Sequence, residues 1–157
     1  MQRWLWLSLL VLLLDQATKQ WAEAALSAYQ PSTLLPFFDL TLMYNEGAAF
    51  SFLSDQGGWQ RWFFIVLALG VSTVLVGWIW RLKPAEKTIA VALALIVGGA
   101  IGNVIDRLLF GHVIDFLHFH YQEYYWPAFN IADSAITIGV ALMIFDALFF
   151  PAKHETD

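Results

Sequence analysis

Long apolar runs separated by short polar segments dominate this chain. Trp62 to Trp80 is nineteen residues without a charge, and Thr88 to Ile105 is eighteen more. Each is long enough, or nearly so, to cross a hydrocarbon core at the helical rise. Ile131 to Phe150 is a third run, with Asp133 and Asp146 near its two ends. An earlier run, Trp4 to about Ala25, is apolar to Leu14 and then holds Asp15, Lys19 and Glu23. Arg3 ahead of this leucine-rich run, with Ala22-Glu23-Ala24 after it, also suits a secretory signal peptide. Asp15 and Lys19 interrupt the usual apolar-to-small transition, however, and at i and i+4 they can pair, which lowers their cost inside a membrane. The pattern predicts four transmembrane helices over about 4–25, 62–80, 88–110 and 131–150, in one membrane-embedded domain covering 1–157.

A different periodicity lies between the first two runs. In Phe37 to Asn45, Asp39 and Thr41 alternate with Leu40 and Leu42, which predicts a short strand. Pro31 and Pro36 punctuate its approach, and Gly47, Gly57 and Gly58 mark turns after it. The expected fold is an all-α polytopic membrane protein with a small β-rich outer platform over about 31–58.

Composition agrees with lipid as the solvent. The chain is 59% hydrophobic and 13% charged, more apolar surface than a small soluble domain could hide. Several of its eight Trp and thirteen Phe sit near the ends of apolar runs, where amphipathic rings prefer the interface. Arg3, Arg81, Lys83, Lys87 and Lys153 fall outside the runs, while 24–60 and 111–130 contain no Lys or Arg. Positive charge stays on the cytoplasmic side, so both termini and the 81–87 loop are expected there. No basic stripe suggests nucleic acid. With no cysteine, disulfides, thiolate ligands and a Cys nucleophile are excluded.

The informative residues are polar ones that a membrane makes expensive. In Gly98 to Arg107, Gly99, Asn103 and Arg107 share one helix face, and Gly98, Gly102 and Asp106 form the adjacent row. Glycines let another helix approach, and an Asp106–Arg107 charge pair at the interface is one reading of the end of this run. Asp115, in Val113-Ile114-Asp115-Phe116, follows the third run, and Asp133, in Phe129-Asn130-Ile131-Ala132-Asp133, opens the fourth. Topology brings both carboxylates to one depth at the outer side. Singly, Asp133 could cap its helix and Asp115 could be a solvated loop residue. Together they suit acid–base peptide hydrolysis: adjacent carboxylates share a proton, one activates water and the other polarises the scissile carbonyl. Asn45-Glu46-Gly47-Ala48-Ala49-Phe50 reads as a turn that could set the Asn45 amide over the site.

These segments resemble the motifs of lipoprotein signal peptidase, or signal peptidase II, a family of bacterial intramembrane aspartyl peptidases. Asp15-Gln16-Ala17-Thr18-Lys19 is similar to its first motif, the Asn45–Phe50 segment to its second and Gly98–Arg107 to its third. Val113–Phe116 and Phe129–Asp133 are similar to its two aspartate motifs, so the resemblance covers nearly the whole chain. It implies that Asp115 and Asp133 are the catalytic dyad. It implies that Asn45, Gly99, Asn103, Arg107, Asn130 and Ala132 support the site or its substrate, and that Asp15, Lys19 and Asp106 are structural. It further implies cleavage of a prolipoprotein signal peptide just before a diacylglyceryl-modified cysteine, contact with membrane lipids, inhibition by the cyclic peptide globomycin, and no cofactor or metal. The expected location is the bacterial cytoplasmic (inner) membrane, with the site near the outer leaflet.

Rival chemistries are a metallopeptidase using His118 and His120 with Asp115 or Glu123, a Ser/Lys peptidase using Lys19 as base, and a transporter with Asp15, Lys19, Asp106 and Arg107 as a polar relay. The glycines of 46–60, beside Asn45, also suggest a lid.

Overall fold

The computed structural model describes residues 2–47 and 58–150. A short 3-10 turn leads into α1 (Leu5–Ala25), followed by β1 (Ser32–Leu35), β2 (Phe38–Asn45), α2 (Trp59–Arg81), α3 (Lys87–Leu109), β3 (Val113–Tyr121), β4 (Tyr124–Tyr125) and α4 (Ile131–Phe149). The four long helices start and end close to the expected runs. Three of them, α2, α3 and α4, are long and apolar enough to cross a membrane.

The fourth, α1, carries the charges that interrupt its hydropathy, and it turns them inward. Ser8, Val11, Asp15, Lys19 and Ala22 are buried, at helical spacing along one stripe. Trp6, Leu9, Leu10, Leu13 and Leu14 are exposed. Polar groups inside and leucines outside is the arrangement that lipid, not water, favours. The central helix is α3, packed against α1, α2 and α4.

Two glycine rows on α3 make that packing close. A Cβ at Gly98 would lie 2.6 Å from the Ser8 carbonyl oxygen of α1, and one at Gly102 would meet the Asp15 carboxylate. A Cβ at Gly99 would run into the Ala132 carbonyl of α4. From α4, Gly139 returns the contact against Ala92 and Ile96. Each row therefore admits a different neighbour, as small residues do where no hydrophobic drive pulls helices together.

The sheet is larger than the sequence pattern suggested, and the all-α description is corrected to a mostly helical fold with a four-stranded antiparallel sheet, ordered β1-β2-β3-β4. Half of its strands come from beyond α3, outside the expected 31–58 platform. Val113 to Phe116 of β3 are all buried, so that stretch has no hydrophobic–polar alternation to betray a strand. Gly111, at φ 87°, reverses the chain between α3 and β3 in a conformation that glycine adopts without strain. Ala22 at the end of α1 packs with Leu42, Ile114 and Phe116, fastening the sheet to the bundle. Most of the 46–60 segment suggested as a lid lies outside the described residues.

One further hook matters for the site. The Phe116 and Leu117 N–H groups donate to the Phe129 carbonyl at 3.1 and 2.9 Å, and the Phe129 N–H donates to Leu117 O at 3.0 Å. The chain just ahead of α4 is thereby held to β3.

The glycine rows make a direct prediction for thermal unfolding of the purified chain. Gly98→Ala should destabilise by about 1–3 kcal/mol through forced separation of α1 and α3. Gly77→Ala on α2, where an added Cβ meets nothing within 4 Å, should be neutral or stabilising by up to about 1 kcal/mol. Equal effects at the two positions would refute close packing at Gly98.

Candidate active site

Asn130 is the N-cap of α4, and its position follows from the hook at Phe129. Its Oδ1 accepts from the Asp133 N–H at 2.9 Å, while its own N–H points to Asp133 Oδ2 at 3.3 Å, a reciprocal capping box. Its amide Nδ2 lies 2.7 Å from Asp115 Oδ1 and 3.2 Å from the Ile114 carbonyl. One fully buried side chain thus touches both the backbone of Asp133 and the carboxylate of Asp115.

The two carboxylates are each held by further amides. Asn45, at the end of β2, donates from Nδ2 to Asp115 Oδ2 at 3.1 Å, and its Oδ1 accepts from the Gly47 N–H at 3.1 Å. Asn103, one turn before Arg107 on α3, donates from Nδ2 to Asp133 Oδ1 at 2.8 Å. Asp133 therefore takes part in capping its helix, as the N3 residue of the box, but only one of its oxygens is engaged there. Asp115 is not a solvated loop residue: it lies within β3, opposite Met43, and is 2% exposed. Burial first, and the neighbouring Asp133 charge second, push the Asp115 carboxyl up to about 7, against the opposing pull of Asn45, Lys19 and Asn130.

Behind the pair sits a knot of buried charge. Lys19 Nζ lies 2.8 Å from Asp15 Oδ2, 2.8 Å from Asp106 Oδ2 and 2.9 Å from Asn103 Oδ1. The Asp15–Lys19 pair expected from the sequence forms. The Asp106–Arg107 pair does not, because Asp106 faces α1 and its charge is taken by Lys19. Arg107 instead places its guanidinium 5.1 Å from the Phe64 ring centroid and reaches the Gly47 and Asn103 carbonyls at 3.4 Å. The knot engages a residue to which the sequence pattern assigned no role: Gln16 donates from Nε2 to Asp106 Oδ1 at 2.8 Å. Its place beside Asp15 in an apolar run was the available signal.

Gly99 and Ala132 touch one another at the α3–α4 crossing and contribute by letting α4 approach. A cleft of about 250 Å³ lies at the start of α2, lined by Glu46, Gly58, Gln60, Arg61, Trp62 and Gly111. A larger groove of about 390 Å³ runs along α2 and is wholly apolar, from Val66 to Leu75, so it offers no chemistry.

The rival sites are not assembled. Asp115 and His118 differ by an odd number of strand positions and point to opposite faces. His118 bonds Thr41 at 3.3 Å, and His120 lies 3.4 Å from Asp39 Oδ2. Among the described residues no group of three His, Cys, Asp or Glu is placed to hold a metal. Lys19 directs three N–H donors at Asp15, Asp106 and Asn103, and an ammonium so bound has no lone pair to take a proton from a serine. Asp15, Lys19 and Asp106 form one compact knot, not a relay spread through the membrane.

Comparison with known proteins bears on this arrangement. Residues 7–149 match the family model described as Signal peptidase (SPase) II. The chain is 54% identical over 156 residues to the lipoprotein signal peptidase of Pseudomonas putida, covering 98% of this chain and 90% of that one. It is 49% identical over 154 residues to that of Cellvibrio japonicus, covering 97% and 91%. A bacterial membrane enzyme of known structure superposes with a TM-score of 0.82 at 31% identity, over 100% of this chain and 94% of the other.

Removing the Asn130 side chain should cost the fold its α4 cap, about 1–2 kcal/mol, and leave Asp115 short of a donor. Thermal unfolding of Asn130→Ala should show a lowered Tm; an unchanged Tm would mean the capping box is dispensable.

Proposed function

The chain belongs to the signal peptidase II family, and from that premise we propose that Asp115 and Asp133 are its catalytic pair, acting on a water molecule. It is a multi-pass membrane protein and an aspartic peptidase that removes signal peptides from prolipoproteins. The observation that carries the assignment of the pair is the Asn130 bridge, whose one side chain bonds the Asp115 carboxylate and the Asp133 N–H.

With one proton between them, the ionised carboxylate takes a proton from water as its oxygen attacks the scissile carbonyl carbon. The protonated carboxyl gives its proton to the carbonyl oxygen. When the resulting diol collapses and the C–N bond breaks, the proton taken from water passes to the departing amine and a diol hydroxyl returns its proton, so the pair ends the cycle with one proton. The macroscopic titration belongs to the pair. Asn45, Asn103 and Asn130 supply amide donors that fix both carboxylates without adding charge. Arg107, beside Gly47, and the cleft lined by Glu46, Gln60 and Arg61 offer polar groups to an extended peptide.

We assign α1 as the fourth span, with both termini and the 81–87 loop on the cytoplasmic side, from the placement of Lys and Arg. The site then lies at the outer leaflet of the bacterial cytoplasmic membrane. A diacylglyceryl-cysteine there keeps its acyl chains in lipid while the peptide enters between α2 and the sheet. Globomycin, as a cyclic peptide, would occupy the same groove. The chemistry draws on carboxylates, amides and water.

The test is cleavage of a purified diacylglyceryl-modified prolipoprotein, with and without a metal chelator. The parent chain should cleave in chelator, and Asp115→Asn and Asp133→Asn should each lose about 1,000-fold or more. Cleavage persisting in both folded variants would refute the pair.

A further inference from the structure

The knot of Asp15, Lys19 and Asp106 touches neither Asp115 nor Asp133 directly, yet it bonds the backbone next to each. Asp15 Oδ1 accepts from the Ala132 N–H at 2.9 Å, one residue before Asp133. Asp106 Oδ2 accepts from the Ile114 N–H at 3.1 Å, one residue before Asp115. The remaining oxygens are committed elsewhere: Asp15 Oδ2 to Lys19, Asp106 Oδ1 to Gln16. Lys19 joins the two acids, and its third bond, to Asn103 Oδ1, turns the Asn103 amide so that Nδ2 faces Asp133.

We propose that Asp15, Lys19 and Asp106 form a positioning clamp that sets the separation and orientation of the two catalytic carboxylates by gripping the Ala132 and Ile114 N–H groups. The inference rests on the assignment of Asp115 and Asp133 as the reacting pair. Its physical basis is rigidity. The two acids descend from different helices, α1 and α3, and hold different targets, the start of α4 and the start of β3. Without a common tie, those targets could shift independently. Lys19 is that tie, and Asp15, Lys19 and Asp106 are all fully buried, so no water competes for their bonds. The Ala132 N–H is in the first turn of α4, where no intrahelical acceptor exists, so Asp15 supplies the acceptor that the helix lacks.

A purely structural knot and a positioning clamp predict different kinetics. A buried charged triad replaced as a unit by apolar side chains of similar volume commonly leaves a protein folded, because no uncompensated charge remains. The decisive variant is Asp15→Val/Lys19→Met/Asp106→Val in the full chain, with fold checked by circular dichroism and cooperative unfolding. The clamp predicts a folded enzyme with kcat lowered about 100-fold and KM changed by no more than about threefold, since misplacement near 1 Å has that effect on the chemical step. Asp106→Asn keeps one oxygen for both the Ile114 N–H and Lys19, with its amide nitrogen turned to Gln16, and should stay within about tenfold of parental kcat.

A folded triple variant with parental kcat would overturn the clamp. So would raised KM at unchanged kcat, which would make these residues part of substrate binding. If the triple variant does not fold, Asp106→Asn decides. Retained kcat upholds backbone gripping, and a loss of about 100-fold in a folded Asn variant overturns it in favour of charge alone. Asp115→Asn and Asp133→Asn run in the same assay keep the two claims apart. Survival of activity in those variants strikes the catalytic pair, whereas their inactivity beside a fully active triple variant strikes only the clamp.

Discussion

A buried ammonium group organises this protein. Lys19 lies within a largely apolar helix, fully out of solvent, and an unpaired charge there would be prohibitively unstable. It is stable because Asp15, Asp106 and Asn103 each accept one of its three protons at 2.8 to 2.9 Å. Those acceptors sit on two helices, so the charge can be satisfied only if α1 and α3 approach closely. Gly98 and Gly102 permit that approach, and the Asp15 carboxylate occupies the space that a side chain at Gly102 would take. Charge and glycine are thus one constraint seen from two sides.

From this knot the geometry propagates outward to the place where helices end and the sheet begins. Asp106 holds the start of β3 and Asp15 holds the first turn of α4, while Phe129 is laced to β3 so that Asn130 lands between them. The two acids of the proposed pair arrive on different kinds of element, a strand and a helix cap, yet share a single amide. Uncharged amides bond both carboxylates directly in a buried setting, with the charges of Lys19 and Arg107 further off. That environment keeps a proton on Asp115 to about 7 while leaving both carboxylates fixed in place. The pair has the combination that acid–base hydrolysis needs: one group that can hold a proton near neutrality and another close enough to feel its charge.

Much of this was legible from the chain alone, for definable reasons. The four long helices follow from run length, and the Asp15–Lys19 pair follows from spacing on one helix face. That Asp115 and Asp133 meet, at the end of α3 and the start of α4, follows from topology. Three things were not legible. The strand character of Val113 to Phe116 was hidden because burial on both faces removes the alternation that marks a strand. Asp106 was paired by sequence proximity with Arg107, whereas adjacent helix positions point apart and the true partner comes from α1. The roles of Gln16 and of the Ala132 and Ile114 N–H groups depend on tertiary hydrogen bonds, one of them between residues 117 positions apart, which no local pattern encodes.

The central claim is that hydrolysis depends on one proton held by a buried carboxylate pair. Asp115 is raised above the ordinary carboxylate range, so it keeps its proton below about pH 7 and loses it above. The most direct measurement is the pH dependence of kcat/KM, which reports the free enzyme, for the full chain on lipid-modified prolipoprotein in the presence of chelator. A rate that falls by one proton's worth as pH rises through about 7 is the predicted result. A rate that keeps climbing to about pH 9 would contradict it, because the acid half of the pair would then be absent while the chemistry continued.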